Sequence, residues 1–486
     1  MIGQYFYLFL VFPLAAAALC LLFRSKKELK TFISLGFSFL HFIVSLLILV
    51  SGEYGASIVA GDWPQGIGIT LKFDLLSNLM MTVVSAIYFA GSLYFVKART
   101  VEANQNFDFL FHTLFLGLSG AFLTHDLFNL FVWFEVTLMS SYVLVVSGQN
   151  LLRVKAGLKY IILNFISGML FLLSVGLVYK FTKTLDFSEL SIRLHSIYQT
   201  NPGVVRLLGL SLFGAFAIKS AFFPFFFWLP ESYPKLSPGL SGVFAGLLTK
   251  LGLYAMIRIF GQVFPADQQL FNVFLILSVL SLLIGVWGAV VQTKIREILS
   301  YHVISQVGFI GIGVSFCMHP NIAIKKFAIA ASIFYIIHHI IVKTNLFFIA
   351  GLIEMREKSE DLSTISGLFR AYPFLAVLFL IPAGSLIGVP PLSGFWAKLN
   401  LFKISIQARE LWVVFAMIVG SFFTLFSMVK IWSAAFWGEV SEKQFDQTEK
   451  NKSMRPMLAC IFLAVITLSL SVAPSWLQAL VLEMAQ

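Results

Sequence analysis

About fourteen stretches of this chain are long and apolar enough to cross a bilayer, where a spanning helix needs roughly 20 such residues. They fall near residues 5–23, 31–50, 75–96, 107–123, 127–147, 156–181, 204–228, 237–262, 269–291, 297–316, 327–351, 371–404, 411–436 and 456–478. No polar stretch between them is long enough to build a separate core. Inside a bilayer every backbone N–H and C=O must be paired within the protein, so runs of this length become helices. The expected fold is an all-α integral membrane protein of about 14 transmembrane helices. Composition points the same way: 59% of the 486 residues are hydrophobic and 12% are charged, half the usual charge of a soluble domain. Too little charge remains to cover a soluble surface.

The net charge of +11 is read as membrane topology before it is read as a nucleic-acid footprint. With the N-terminus outside, the inner loops hold 19 Lys and Arg and the outer loops 9. That is a positive-inside bias, and an even number of spans puts both termini on the outer side of a cell membrane. The polar loop 182–203 carries basic residues on the outer side, which long loops tolerate. The first run, Tyr5 to Phe23, does not read as a signal peptide: no Lys or Arg precedes it, and Arg24, Lys26, Lys27 and Lys30 follow it. Cys20, Cys317 and Cys460 all sit in apolar runs without CxxC or Cys/His spacing. A disulfide framework, a zinc site and an iron–sulfur cluster are not expected. No cofactor or metal site is read from the chain.

Residues 56–74 read as two short strands around a Pro/Gly turn, an outer hairpin. The inner loops 352–369 and 438–454 are expected to carry short surface helices. Two spans are interrupted. The seventh holds Pro224, with Pro230 beyond it; the twelfth holds Pro382, Gly388, Pro390, Pro391 and Gly394. Paired broken helices point to an inverted-repeat membrane protein. Spans four to eight then form one five-helix repeat and spans nine to thirteen the other, with helices 7 and 12 equivalent. The divisions are 1–106 for the first three helices with the hairpin, 107–263 and 264–436 for the two repeats, and 437–486 for the last loop and helix.

Ionisable side chains deep in a membrane cost several kcal/mol and mark ion pathways. Glu135 lies about nine residues into its span, roughly 13 Å from the start. Lys219, Lys250, His338, His339, Lys343 and Lys398 fall at similar depth in spans seven, eight, eleven and twelve. They can form a polar line parallel to the membrane. Desolvation disfavours a charged amine and a nearby carboxylate restores it, so a Glu135–Lys219 pair can hold a proton and release it on separation. Imidazoles relay between such groups. Adjacent histidines point about 100° apart, so at most one of His338 and His339 is expected to face the line.

Blander roles are assigned elsewhere. Lys159, Lys180 and Lys430 snorkel. His125 and Asp126 sit at a span start, where N-capping competes with an accessory role. His302, one turn from Gln306, is an accessory candidate or a packing hydrogen bond. Trp63, Trp228, Trp412 and Trp476 read as interface anchors.

Five stretches carry a family resemblance: HDLFNLFVWFE from His125 to Glu135, GLLTKLGLYA from Gly246, SYHVISQVG from Ser300, HHIIVKTNLF from His338, and GVPPLSGFWAK from Gly388 to Lys398. Together they resemble the antiporter-like subunits shared by respiratory complex I, membrane-bound hydrogenases and Mrp-type cation/proton antiporters. The chain is most similar to the D subunits of Mrp antiporters. It stops shortly after span fourteen, so no lateral helix of the complex I kind and no extra spans of the Mrp A kind are expected. The resemblance implies an ion pair at Glu135 and Lys219, a central relay at Lys250, a joining histidine at His338 or His339 and a terminal lysine at Lys398. It also implies the other Mrp subunits as partners and exchange of Na+ for protons driven by the proton motive force, not enzyme chemistry. Cationic residues disfavour a sodium site, so the line is read as a proton path. The alternative is a proton-pumping antiporter-like subunit of a complex I or hydrogenase type oxidoreductase, whose redox chemistry would sit in its partners.

Overall fold

The computed structural model describes residues 2–62, 68–98, 105–147, 151–439 and 454–472. Among the described residues twelve helices are long and apolar enough to span a membrane, and Phe107–Leu123 and Pro373–Ile387 are shorter apolar helices. The chain opens with α1 (Leu8–Leu22) and α2 (Lys27–Ser51), then strands β1 (Ala56–Val59) and β2 (Thr70–Phe73), which pair antiparallel with Ala56 opposite Phe73. The expected hairpin is therefore present. Trp63 and the rest of its turn lie outside the described residues, as do Trp476 and most of the loop 438–454.

Next come α3 (Leu75–Ala98), α4 (Phe107–Leu123), α5 (Leu127–Val146), α6 (Leu151–Thr182), α7 (Phe187–Thr200), α8 (Pro202–Ser220), α9 (Trp228–Ser232) and α10 (Pro238–Arg258). The remainder is α11 (Gln268–Val291), α12 (Ile295–Phe316), α13 (Ile322–Glu357), α14 (Leu368–Ala371), α15 (Pro373–Ile387), α16 (Ser393–Gln407), α17 (Leu411–Ile431) and α18 (Met454–Val472). Helices α10 and α13 are buried along their whole apolar length, while α2, α6, α17 and α18 show most of theirs at the periphery. The chemistry-bearing residues on α10 and α13 are thus central.

Three local expectations change. Loop 182–203 is not irregular, because it contains α7. Asp186 accepts from the Ser188 and Glu189 amides, and Phe187, Leu190 and Leu194 form the buried face. The break in span seven lies at Ala221, which takes a left-handed conformation with its N–H returned to Ile218 O, before Pro224 is reached. In span twelve, Pro382 stays inside α15, and the break falls at Gly388, whose φ of 93° suits a residue without Cβ.

Small residues set the tightest crossing. A Cβ on Gly308 would collide with the Leu282 backbone, and one on Gly285 with the Ser305 backbone, so α11 and α12 touch main chain to main chain. Gly308→Ala should lower the thermal stability of the purified protein, by about 1–3 kcal/mol for an overpacked contact. Gly176→Ala on α6 faces open space and should leave the melting temperature in detergent unchanged or higher.

Candidate functional site

The site begins where α5 meets α6 and α8. Lys219, in the last turn of α8, is almost fully buried, and its Nζ lies 3.7 Å from Glu135 Oε1 on α5. Neither atom has a hydrogen-bond partner among the described residues. The pair is therefore held by charge alone. Two features keep the ammonium there without a donated bond. The Phe134 ring lies 5.3 Å from Nζ, within cation–π range. The break at Ala221 also leaves Lys219 at a helix C-terminus, where carbonyl dipoles favour a cation. Gly168 on α6 makes room for the carboxylate, since a Cβ there would stand 2.6 Å from Glu135 Oε1.

Lys250 occupies the centre of α10, fully buried, and donates to Ala245 O one turn earlier. Ser220 Oγ, which packs against Gly252 where α8 meets α10, and Thr249 Oγ1 next to Lys250 in the chain are both buried without partners among the described residues. Lys343 on α13 reaches across to Leu299 O of α12 at 2.9 Å. His339 has both ring nitrogens buried and unpartnered, within Coulombic reach of Lys250, Lys343, His338 and His302. His302 on α12 is likewise buried with no ring partner, near Lys343 and Lys398. One turn along, Gln306 accepts from the Tyr335 hydroxyl at 2.7 Å.

His338 points the other way. Its Nδ1 lies 2.9 Å from Ser393 Oγ at the start of α16, and Ser393 in turn contacts Ser385 at the end of α15. Lys398 folds back from α16 to donate to Ile387 O, a carbonyl freed by the break, at 2.8 Å. It also reaches Ser421 Oγ at 3.2 Å and sits 4.9 Å from the Phe309 ring. Breaks at membrane depth leave such carbonyls to be satisfied by side chains. The two adjacent histidines diverge, as their spacing on a helix requires. Their angular separation lets α13 present His339 toward the α10 side and His338 toward α16.

Other residues depart from their sequence-based roles or keep them in altered form. Asp126 caps α5, accepting from the Asn129 amide at 2.7 Å. Trp228 is buried instead of lying at an interface, and its indole donates to Ile218 O at 3.1 Å, one of the carbonyls exposed by the break in span seven. Trp412 is exposed and donates to Glu410. Lys430 closes the end of α11 through Val290 O and Gln292 O at 2.9 and 2.7 Å instead of reaching into solvent. Lys159 pairs with Glu231, and Lys180 is exposed beside the Phe181 ring.

The sequence reading missed several buried polar groups. Arg258, at the end of α10, makes a two-pronged ion pair with Asp74 at 2.5 and 2.6 Å. Lys30 meets Asp108 at 3.1 Å between α2 and α4. His112 lies between Ser34 and Tyr88, and His41 contacts Ser85. The available signal was periodic: Lys250, Tyr254 and Arg258 recur every fourth residue on one helical face.

Comparison with known proteins places this arrangement. Residues 124–424 match the family described as NADH:quinone oxidoreductase/Mrp antiporter, TM. An Alkalihalophilus pseudofirmus protein, named as the D subunit of a Na(+)/H(+) antiporter, is 34% identical over 469 residues, covering 96% of this chain and 93% of its own. A Bacillus subtilis protein of the same name is 32% identical over 437 residues, 89% and 87% of the two chains. Among solved structures, a chain of the Mrp complex from a Dietzia species superposes with a TM-score of 0.89 at 28% identity, covering all of this chain and 97% of that one. A chain of an archaeal membrane-bound sulfane sulfur reductase reaches the same TM-score of 0.89 at 24% identity, covering 99% and 97%, a likeness of fold.

The Gly168 contact gives a direct structural test. Gly168→Ala should push the Glu135 carboxylate aside and open the Lys219 pair beyond 4 Å in a cryo-EM map of the assembled protein. An unchanged distance would mean that α6 does not set the carboxylate position.

Proposed function

The chain belongs to the NADH:quinone oxidoreductase/Mrp antiporter transmembrane family, and from that premise we propose that it is the proton-translocating D-type subunit of a multisubunit sodium/proton antiporter. Its neighbours are the other Mrp subunits, and the complex uses the proton motive force to exchange Na+ for protons. The relatives that span nearly the whole chain at more than 30% identity carry antiporter names, which favours this reading over a redox-driven pump.

The observation that carries the mechanism is the Glu135–Lys219 pair, close yet without a hydrogen bond. A pair of this kind holds charge on Lys219 and can separate without breaking a directional contact. In this reading a proton leaving Lys219 passes to Lys250, then through His339 and Lys343 toward His338 and Lys398. His302 lends a further imidazole, and Asp126 stays structural as a cap. Every member of the line is neutral or cationic except Glu135, so protons fit it and sodium does not.

We read the helical core as fourteen spans with two inverted repeats, 107–263 and 264–436, after 1–106 and before 437–486. Backbone pairing supports the repeats. Leu127 N–H donates to Leu185 O and Phe187 N–H to His125 O; Ile295 N–H donates to Glu360 O and Leu362 N–H to Thr293 O. The same motif thus recurs around Asp126 and Asp186 in one half and around Lys294 and Asp361 in the other. The left-handed break in span seven likewise has its counterpart at Gly388. The positive-inside count of the sequence favours the hairpin and both termini on the outer face.

Glu135→Ala, Lys219→Ala and Lys250→Ala should each reduce sodium-dependent dissipation of a pH gradient to background in vesicles from antiporter-deficient cells, with the complex still assembled. Near-native rates in Glu135→Ala or Lys219→Ala would remove the ion-pair mechanism, and in Lys250→Ala the relay.

A further inference from the structure

A second polar system meets the proton line from the hairpin face. A cleft of about 200 Å³ opens there, lined by Thr70 and Lys72 of β2, His125 at the α4–α5 junction, and Asp186, Ser188 and Glu189 at the start of α7. Ser188 and Glu189 are exposed at its mouth, while Thr70, His125 and Asp186 are buried in its wall. Thr70 Oγ1 has no partner among the described residues, and His125 Nε2 lies 3.1 Å from Ser188 Oγ. His125 also lies within Coulombic reach of Asp74 and Arg258.

Behind His125 the polar groups close into a ring. Arg258 donates to Asp74 through both terminal nitrogens, to Ser77 Oγ at 2.8 Å and, through Nε, to Tyr254 OH at 2.9 Å. Tyr254 OH and Ser77 Oγ both donate to Phe122 O, at 3.0 and 2.7 Å. Lys250 lies one turn below Tyr254 and two turns below Arg258 on the same face of α10, about 12 Å along the helix axis from Arg258. Lys250, Tyr254 and Arg258 thus share one face of a fully buried helix, with the Lys250 amine turned toward Ala245 O.

We propose that the cleft is a proton port for Lys250: protons pass between hairpin-side water and the Lys250 amine along one face of α10, and the Asp74–Arg258–Tyr254 ring is the seal that closes the route. The proposal rests on the proton-line reading of Lys250. The transfer is simple in balance: hydronium on the cleft side gives its proton to the neutral amine and leaves water, and the reverse step returns it. Asp74 and Arg258 keep their charges throughout. Burial opposes ionisation of Asp74, but the Arg258 guanidinium outweighs it and holds the carboxyl well below the usual range. Guanidinium groups at a constriction exclude cations, so an intact ring blocks the leak that an open route would cause.

The wall and floor of the cleft carry polar groups that water entering it can meet. Burial first, then the charges of Arg258 and Lys72, push the His125 imidazole down to about 4 against Asp186 and Asp74, so it is neutral near pH 7 and can accept. Lys72 is the opposing cation in the cleft.

Loosening the ring tests the proposal. In vesicles containing the whole complex, Asp74→Asn and the conservative Tyr254→Phe should each make a sodium-independent decay of an imposed pH gradient several-fold faster than in the native complex. Leu247→Cys, one turn beyond Lys250 on the same face of α10, is buried in the native protein and should become reactive to a membrane-impermeant thiol reagent only in the Asp74→Asn background; the native Cys20, Cys317 and Cys460 are all buried. Ser188→Cys should react in every background. Faster leak in either assembled variant, or gain of labelling at position 247, supports the port. Native-like retention of the gradient in both variants together with an unreactive Leu247→Cys overturns it. Glu135→Ala in the same vesicles separates the two claims, because it reads the proton line and not the seal.

Discussion

Removing a lysine from water without neutralising it is the cost around which this structure is arranged. Lys219, Lys250, Lys343 and Lys398 are all buried, and among the described residues only Lys219 of the four has a carboxylate beside it. The others are met by backbone carbonyls: Ala245 for Lys250, Leu299 for Lys343, Ile387 for Lys398. A carbonyl stabilises an ammonium less than a carboxylate does, because it offers a dipole and no opposing charge. Such lysines are buried with no opposing charge to offset the loss of water. A row of uncompensated amines is a poor structural element.

The broken helices supply what the amines need. A continuous helix offers no free carbonyl or amide at membrane depth. The interruption after Ser220 leaves Lys219 at a helix terminus beside Trp228, and the interruption at Gly388 frees the carbonyl that Lys398 takes. Helix α13 crosses between them, carrying His339 toward Lys250 and His338 toward the second break. Orphaned hydroxyls and imidazoles cluster along this route: Ser220, Thr249, His302 and His339 are buried without a partner among the described residues. In a stable soluble core such groups would be paired. Here they sit where α8, α10, α12 and α13 pack on one another.

The membrane class, the hairpin, the two interrupted spans and the buried ionisable residues could be read directly from the sequence. Each is written locally, in hydropathy, in Pro and Gly, or in a charge within an apolar run. What the sequence hid depends on neighbours distant along the chain. Trp228 looked like an interface anchor because nothing local says that the chain turns inward at Ala221. Lys430 looked like a snorkelling residue because its acceptors belong to α11, 138 residues earlier. Helix α7 was legible in principle, since Asp186 and Glu189 have capping-box spacing and Phe187, Leu190 and Leu194 keep one face. The Asp74–Arg258 pair joins residues 184 apart and could be known only from the fold.

The central claim is that Glu135 and Lys219 act as one charge pair at the head of the proton line. Exchanging the two charges tests it most directly, with sodium-dependent pH-gradient dissipation measured in the assembled complex. Glu135→Lys and Lys219→Glu alone should be inactive, and the double exchange should recover a measurable fraction of native transport. A double variant that assembles yet transports no better than either single one would contradict the account.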